Sequence, residues 1–198
     1  KLRVFSDDQG VTKESGRVVW SQSGLHNVKN ALAAVIAAYQ VGVNVSQSCE
    51  ALSDFIGVKR RMEVICESQG VTIYDDFAHH PTAIKSTLEG LRAKVGDDFI
   101  LAIIEPRSAT MKMGVHQQTL ASSVKSADQV LWYQNAAIDW DMASLSDAIE
   151  IPSMIINKLD DLIEATVNLA HSNVHIVIMS NGGFEGFHNK LSDAIKSI

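Results

Sequence analysis

Residues 71–82 read Val-Thr-Ile-Tyr-Asp-Asp-Phe-Ala-His-His-Pro-Thr. The β-branched and aromatic run from Val71 to Tyr74 predicts a strand, and Pro81 at the head of a helical pattern predicts a helix start. Asp75, Asp76, His79 and His80 crowd the loop between them. A helix N-terminus presents unpaired N–H groups and the positive end of a dipole, so such a junction suits a phosphate or carboxylate. The same carboxylates and imidazoles could hold ribose hydroxyls, a metal or a charged substrate.

Outward from this stretch, the strand–helix rhythm repeats. Downstream, the pattern predicts a helix over 81–94, a strand over 99–105, a helix over 116–125 and a strand over 128–133. A short helix near 144–149, a strand at 153–156, a helix at 160–171, a strand at 174–180 and a helix at 184–197 complete it. Phe99–Ile104 and His175–Met179 are apolar on both faces, as a strand covered by helices on each side requires. The fold class expected is therefore α/β, with a doubly wound, mostly parallel sheet. Ligands in such sheets bind beyond the carboxyl ends of the strands. Asp75–His80, Glu105–Thr110 and Ser180–Gly183 all fall at such ends, which predicts one shared site.

Upstream, strands are expected at 2–6 and 16–21. A helix is expected over 25–40, where Leu25, Val28, Leu32, Val35, Ile36 and Tyr39 recur at helical spacing. Gly42 is its expected stop, and Ser46 the expected cap of a second helix through Phe55. Gly57 breaks that pattern, and the basic triplet Lys59-Arg60-Arg61 follows. A boundary there gives two domains, 1–57 and 58–198. Just beyond it, strands at 62–67 and 71–75 are joined by a Gln69-Gly70 turn.

Composition narrows the function classes. The net charge of −6 argues against a nucleic-acid backbone as partner, since that needs a basic face. No apolar run is long enough to span a bilayer, and no secretory signal pattern opens the chain. Cys49 and Cys66, the only 2 cysteines, have no CxxC spacing and read as reduced thiols of a cytoplasmic protein. The start at Lys1, without an initiator Met, suggests a piece of something longer.

Each polar cluster has a ligand reading and a plainer one. His26, Asn27 and Asn30 lie within one helical turn; Asn amides match the edge of adenine, or one of these residues merely caps the helix. An arginine of the 59–61 triplet could reach a phosphate with its planar fork, or the triplet is solvated surface charge. At Asp75-Asp76 one carboxylate could accept from ribose. His79 and His80 are adjacent and share no helix face, so contact with a substrate carboxylate or phosphate suits them better than a metal site. Pro106 ends its strand, and Arg107 and Lys112 then carry positive charge to the ligand edge. In Ser180-Asn181-Gly182-Gly183, paired glycines allow close backbone approach to a ligand, or simply a tight turn.

Taken in order, GLHNVKNALAA, FIGVKRRME, DDFAHHPT, EPRSATMKMG and MSNGGF resemble the Mur ligase family, ATP-dependent enzymes that add amino acids or peptides to UDP-N-acetylmuramate. The last two motifs are most similar to the branch that uses the tripeptide L-Ala-γ-D-Glu-meso-diaminopimelate released from the cell wall. The resemblance implies that residues 1–57 are the tail of a central ATP-binding domain and 58–198 a Rossmann-like C-terminal domain. It implies His26, Asn27 and Asn30 on the adenine side, Arg61 at an ATP phosphate and Asp76 at the ribose. His79, His80, Thr82, Arg107, Ser108, Asn181, Gly182 and Gly183 would line the substrate pocket. The family's Gly-Lys-Ser/Thr phosphate loop has no counterpart, since no Gly-Lys dipeptide occurs. Most Mg2+ ligands and the UDP-sugar domain would then lie outside this chain, leaving it inactive alone, with the remainder of its own chain as partner. An L-alanine ligase of the same family, or a non-catalytic nucleotide-binding module, stays open as an alternative.

Overall fold

The computed structural model describes residues 2–3, 15–20, 24–107, 111, 117–136, 138 and 140–198. They divide into two compact units, Lys1–Gly57 and Val58–Ile198.

In the first unit, β1 (Leu2–Arg3) pairs antiparallel with β2 (Ser15–Gly16). Helices α1 (Leu25–Gln40) and α2 (Val45–Ser53) follow. The helix-favouring run predicted at 25–40 forms as expected, but only part of its apolar stripe becomes the core face, Val35 buried and Leu32 and Tyr39 partly so. α1 buries the small Ala31 and Val35, while Leu25 is 68% exposed and Val28 and Ile36 are also largely exposed. The unit's small core gathers Val35, Val45 and Cys49. β2 approaches this core so closely that a Cβ on Gly16 would run into Cys49 Sγ. The cap of α2 is not Ser46. Asn44 Oδ1 accepts from the Gln47 N–H at 2.8 Å, the geometry of a good N-cap.

The second unit is a 6-stranded sheet in the order β3-β4-β8-β5-β6-β7. The strands are β3 (Glu63–Ser68), β4 (Val71–Asp76), β5 (Phe99–Ile104), β6 (Gln129–Tyr133), β7 (Ser153–Ile156) and β8 (Val174–Met179). β3 is antiparallel to β4, with a bulge between Val64 and Cys66, and the other pairings are parallel. The helices are α3 (Pro81–Val95), α4 (Gln117–Ser123), α5 (Met142–Asp147), α6 (Leu159–Leu169) and α7 (Phe187–Lys196). Alternation along the buried strands builds two core layers. Ile100, Ala102 and Ile104 of β5 face Ile84, Leu88 and Leu91 of α3, together with Leu120, Met142 and Leu145. Leu101 and Ile103 turn the other way, toward Leu162 of α6 and Phe187, Leu191 and Ile195 of α7. Successive strand residues point to opposite faces, so both faces of β5 must be apolar to serve both layers.

The last helix departs from expectation. Instead of one helix from 184, a 3₁₀ turn (Phe184–Gly186) comes first, and α7 begins at Phe187 after Gly186, which adopts φ +77°. Phe184 and Glu185 adopt φ +46° and +50°, a left-handed backbone that non-glycine residues rarely tolerate. Bulky Phe184 is fully buried between Tyr133 and Phe187, ring centroids 5.2 and 4.8 Å away. That packing holds the conformation in place.

Candidate functional site

The chain reaches β5 from β4, runs outward through β6 and β7, and returns to insert β8 between β4 and β5. Asp76 and Ile104 both register with Met179, so three neighbouring strands end at one level. Their pairing continues into the loops: Ser180 N donates to Asp76 O, and Glu105 N donates to Met179 O. The loops after Asp76, Ile104 and Met179 therefore leave from one rim. This is the crevice position where open α/β sheets bind ligands.

Buried polar groups organise that rim. Glu105 is only 3% exposed. It accepts from Ser180 Oγ at 2.5 Å and from Asn135 Nδ2 at 3.5 Å, and its Oε1 lies 4.0 Å from Arg107 Nη1. The Arg107 side chain packs against Gly182, where a Cβ would overlap it. Gly182 N in turn donates to Ser180 Oγ. The Arg107 side chain thus lies at the outer limit of ion-pair distance from a buried carboxylate and is itself exposed. Tyr133 OH donates to Glu185 Oε1 at 3.1 Å, and burial followed by the neighbouring glutamates raises the phenol above its ordinary range.

On the other side of β8, Arg60 Nε donates to Asp75 Oδ2 at 3.0 Å and Arg60 Nη2 to Ser180 O at 2.6 Å. Asp75 Oδ1 faces His188 Nε2 at 3.1 Å, within ion-pair range, yet neither atom completes a hydrogen-bonding geometry with any group. Burial pushes the Asp75 carboxyl up, but His188 and then Arg60 outweigh it and hold it below the usual carboxylate range. Asp76 goes the other way. Its burial raises it despite hydrogen bonds from Ala78 N, Met62 N and Thr87 Oγ1 and the charge of Arg61.

Of the residues singled out by sequence, Asp76, His79, His80, Thr82, Arg107, Asn181, Gly182 and Gly183 sit on or beside these loops. Several are arranged differently from expectation. Asp76 is 3% exposed and both its oxygens are turned inward onto the backbone, so in this conformation it offers no face to a ribose. His80 caps α3, its Nδ1 accepting from Thr82 N at 3.3 Å. His79 is half-buried, with Nδ1 2.9 Å from Phe77 O. Asn181 Oδ1 is buried with no hydrogen-bond partner among the described residues, and Gly183 is exposed. Arg61 is exposed, at the start of the second unit. In the first unit, His26 and Asn30 are exposed on α1 and Asn27 is partly so. None of the three caps the helix; Gly24 holds that position without a side-chain bond. Ser108 lies outside the described residues.

The sequence reading missed Tyr133, Asn135, Glu185 and His188, and took Arg60 only as one member of the basic triplet. Asn135 and Tyr133 were within reach, because β6 is a fourth parallel strand whose end deserved the same attention as the others. His188 carried no local signal, and only the folded sheet brings it and Arg60 together across Asp75. Among the described residues no group of three or more His, Cys, Asp or Glu side chains could hold a metal ion. No helix among them is long and apolar enough to cross a membrane.

Comparison with known proteins agrees with this architecture. Residues 60–182 match the family described as Mur ligase, glutamate ligase domain. The chain is 47% identical, over 91% of its length, to the UDP-N-acetylmuramate–L-alanyl-γ-D-glutamyl-meso-2,6-diaminoheptandioate ligase of Escherichia coli (strain K12), and spans 40% of that relative. A solved murein peptide ligase from Psychrobacter arcticus shares 48% identity at a TM-score of 0.72, covering 91% of this chain and 39% of that one. A separately crystallised domain from Haemophilus ducreyi is 42% identical at a TM-score of 0.59, covering 68% of this chain and 99% of that one. With its doubly wound sheet and this family match over more than half its length, the chain belongs to the Mur ligase family.

Proposed function

We propose that this chain is part of a cytoplasmic ATP-dependent ligase that joins UDP-N-acetylmuramate to the tripeptide L-Ala-γ-D-Glu-meso-diaminopimelate. In that reaction the muramate carboxylate attacks the γ-phosphorus of ATP and releases ADP. The peptide amine then attacks the resulting acyl phosphate, loses a proton and expels phosphate, leaving an amide. The observation that carries this reading is the 47% identity to the Escherichia coli tripeptide ligase, sustained over 91% of the chain.

Within such an enzyme this chain would supply binding and orientation. Arg61, exposed ahead of the sheet, would meet an ATP phosphate. His26, Asn27 and Asn30 would serve the adenine side. Arg107, exposed beside Gly182 and near Glu105, suits a carboxylate of the acidic peptide, because a charge-assisted contact from a guanidinium is both strong and directional. Ser108, Asn181, Gly182 and Gly183 would complete that side, with His79, His80 and Thr82 across the rim. Asp76 would meet ribose only once its backbone partners withdraw; otherwise it ties the loop. Magnesium would be held by residues beyond this chain. Offering the full-length enzyme the tripeptide and L-alanine as rival amines tests the proposal. Efficient turnover with the tripeptide and poor turnover with L-alanine is expected, whereas a preference for L-alanine would reject it.

A further inference from the structure

The loop that opens the second unit is bent in an unusual way around the exposed Arg61. Arg60 and Met62 adopt φ +58° and +50°, so Arg61 sits between two left-handed non-glycine residues. Such backbone persists only where surrounding contacts over-determine it, and it concentrates at functional sites. Those contacts are all in place. Arg60 N donates to Glu63 Oε2, Phe77 N donates to Arg60 O, and Met62 N donates to the buried Asp76 carboxylate. The Arg60 side chain lies over the Phe77 ring, 5.3 Å from its centroid, and forks between Asp75 and the Ser180 carbonyl.

We propose that Arg60 is a positioning residue for the nucleotide: with Asp75 and His188 it clamps the loop in the bent form that presents Arg61. The inference rests on the reading that Arg61 meets an ATP phosphate. Arg60 is assigned the positioning role rather than the phosphate because its Nε and Nη2 are engaged by Asp75 and Ser180 and its side chain is largely buried, whereas Arg61 is exposed. The clamp needs a fork: one nitrogen takes the carboxylate at the end of β4 while another takes the carbonyl at the end of β8. A lysine, with one point of charge, cannot hold both in that geometry. His188 closes the far side of Asp75 from the first turn of α7, so the clamp reaches across three elements.

The test uses the full-length enzyme with Arg60→Lys, Arg60→Gly and, for reference, Arg61→Met. Glycine accepts the positive φ without strain, so Arg60→Gly separates loss of the guanidinium from loss of the backbone shape. Both Arg60 variants should raise the KM for ATP by about tenfold while the KM for the tripeptide stays within about twofold. Asp75→Asn, which keeps the shape but removes the charge, should move the KM for ATP in the same direction and serves if Arg60→Gly does not fold. If Arg61→Met impairs ATP use but folded Arg60 variants do not, Arg60 is merely structural and the inference fails while the reading of Arg61 stands. An equal loss for ATP and peptide would mean general damage and would also reject it. An Arg61→Met enzyme with an unchanged KM for ATP would remove the underlying reading, and the inference with it.

Discussion

Asp75 and Asp76 are neighbours in sequence and opposites in chemistry. Asp75 meets His188 and the Arg60 guanidinium and is held below the usual carboxylate range, whereas Asp76, tied mainly to backbone N–H groups, is raised by its burial. Nothing in the dipeptide foretells that split; it depends on Arg60 and His188 arriving from distant positions. The consequences for stability have opposite signs. A depressed folded pKa contributes stability that is present above the unfolded value, near about 4, and is lost as pH falls through the folded value. A raised folded pKa does the reverse: the buried charge of Asp76 weakens the fold at neutral pH and less so on acidification. The Asp75 effect is isolated by comparing the chain with Asp75→Asn. Denaturant titrations should show a stability gap between the two at pH ~5 that closes as pH falls below ~4. A gap of unchanged size in strong acid would contradict the assigned charge pairing.

At the scale of elements, the β-strands were the most legible feature. Continuous apolar runs at 99–104 and 174–179 declared strands buried on both faces, and the structure has them there. The hairpin turn was equally readable, because Gly70 follows Gln69 between two alternating segments. Both residues adopt positive φ, +54° and +78°, in the two-residue loop joining β3 to β4. Asn tolerates that backbone far better than Gln, so Gln69→Asn should stabilise the chain by about 0.5–1 kcal/mol. The midpoint of chemical unfolding measures it, and an unchanged or lowered midpoint would argue against the left-handed turn. What could not be read were features set by tertiary packing. The 3₁₀ turn before α7 depends on Phe184 filling a slot between Tyr133 and Phe187. Which part of the α1 stripe is buried, Val35 rather than Leu25, follows from packing against Val45 and Cys49 of α2.

For the whole molecule, the rim was legible as a place but not as a mechanism. Three clusters at three strand ends pointed to one site, and the register of Asp76, Met179 and Ile104 brings those ends together. The division of labour along the rim follows from Ser180. Its carbonyl receives Arg60 on one side, and its hydroxyl serves Glu105, and through it Arg107, on the other. Our central claim is that the two arms serve different substrates, Arg61 the nucleotide and Arg107 the acidic peptide. The most direct measurement is a pair of KM values, for ATP and for tripeptide, in full-length Arg61→Met and Arg107→Ala enzymes. Arg107→Ala should weaken tripeptide use by roughly 1.5–3 kcal/mol and leave the KM for ATP nearly unchanged, and Arg61→Met should do the converse. Two variants that shift the same constant, or neither, would contradict the account.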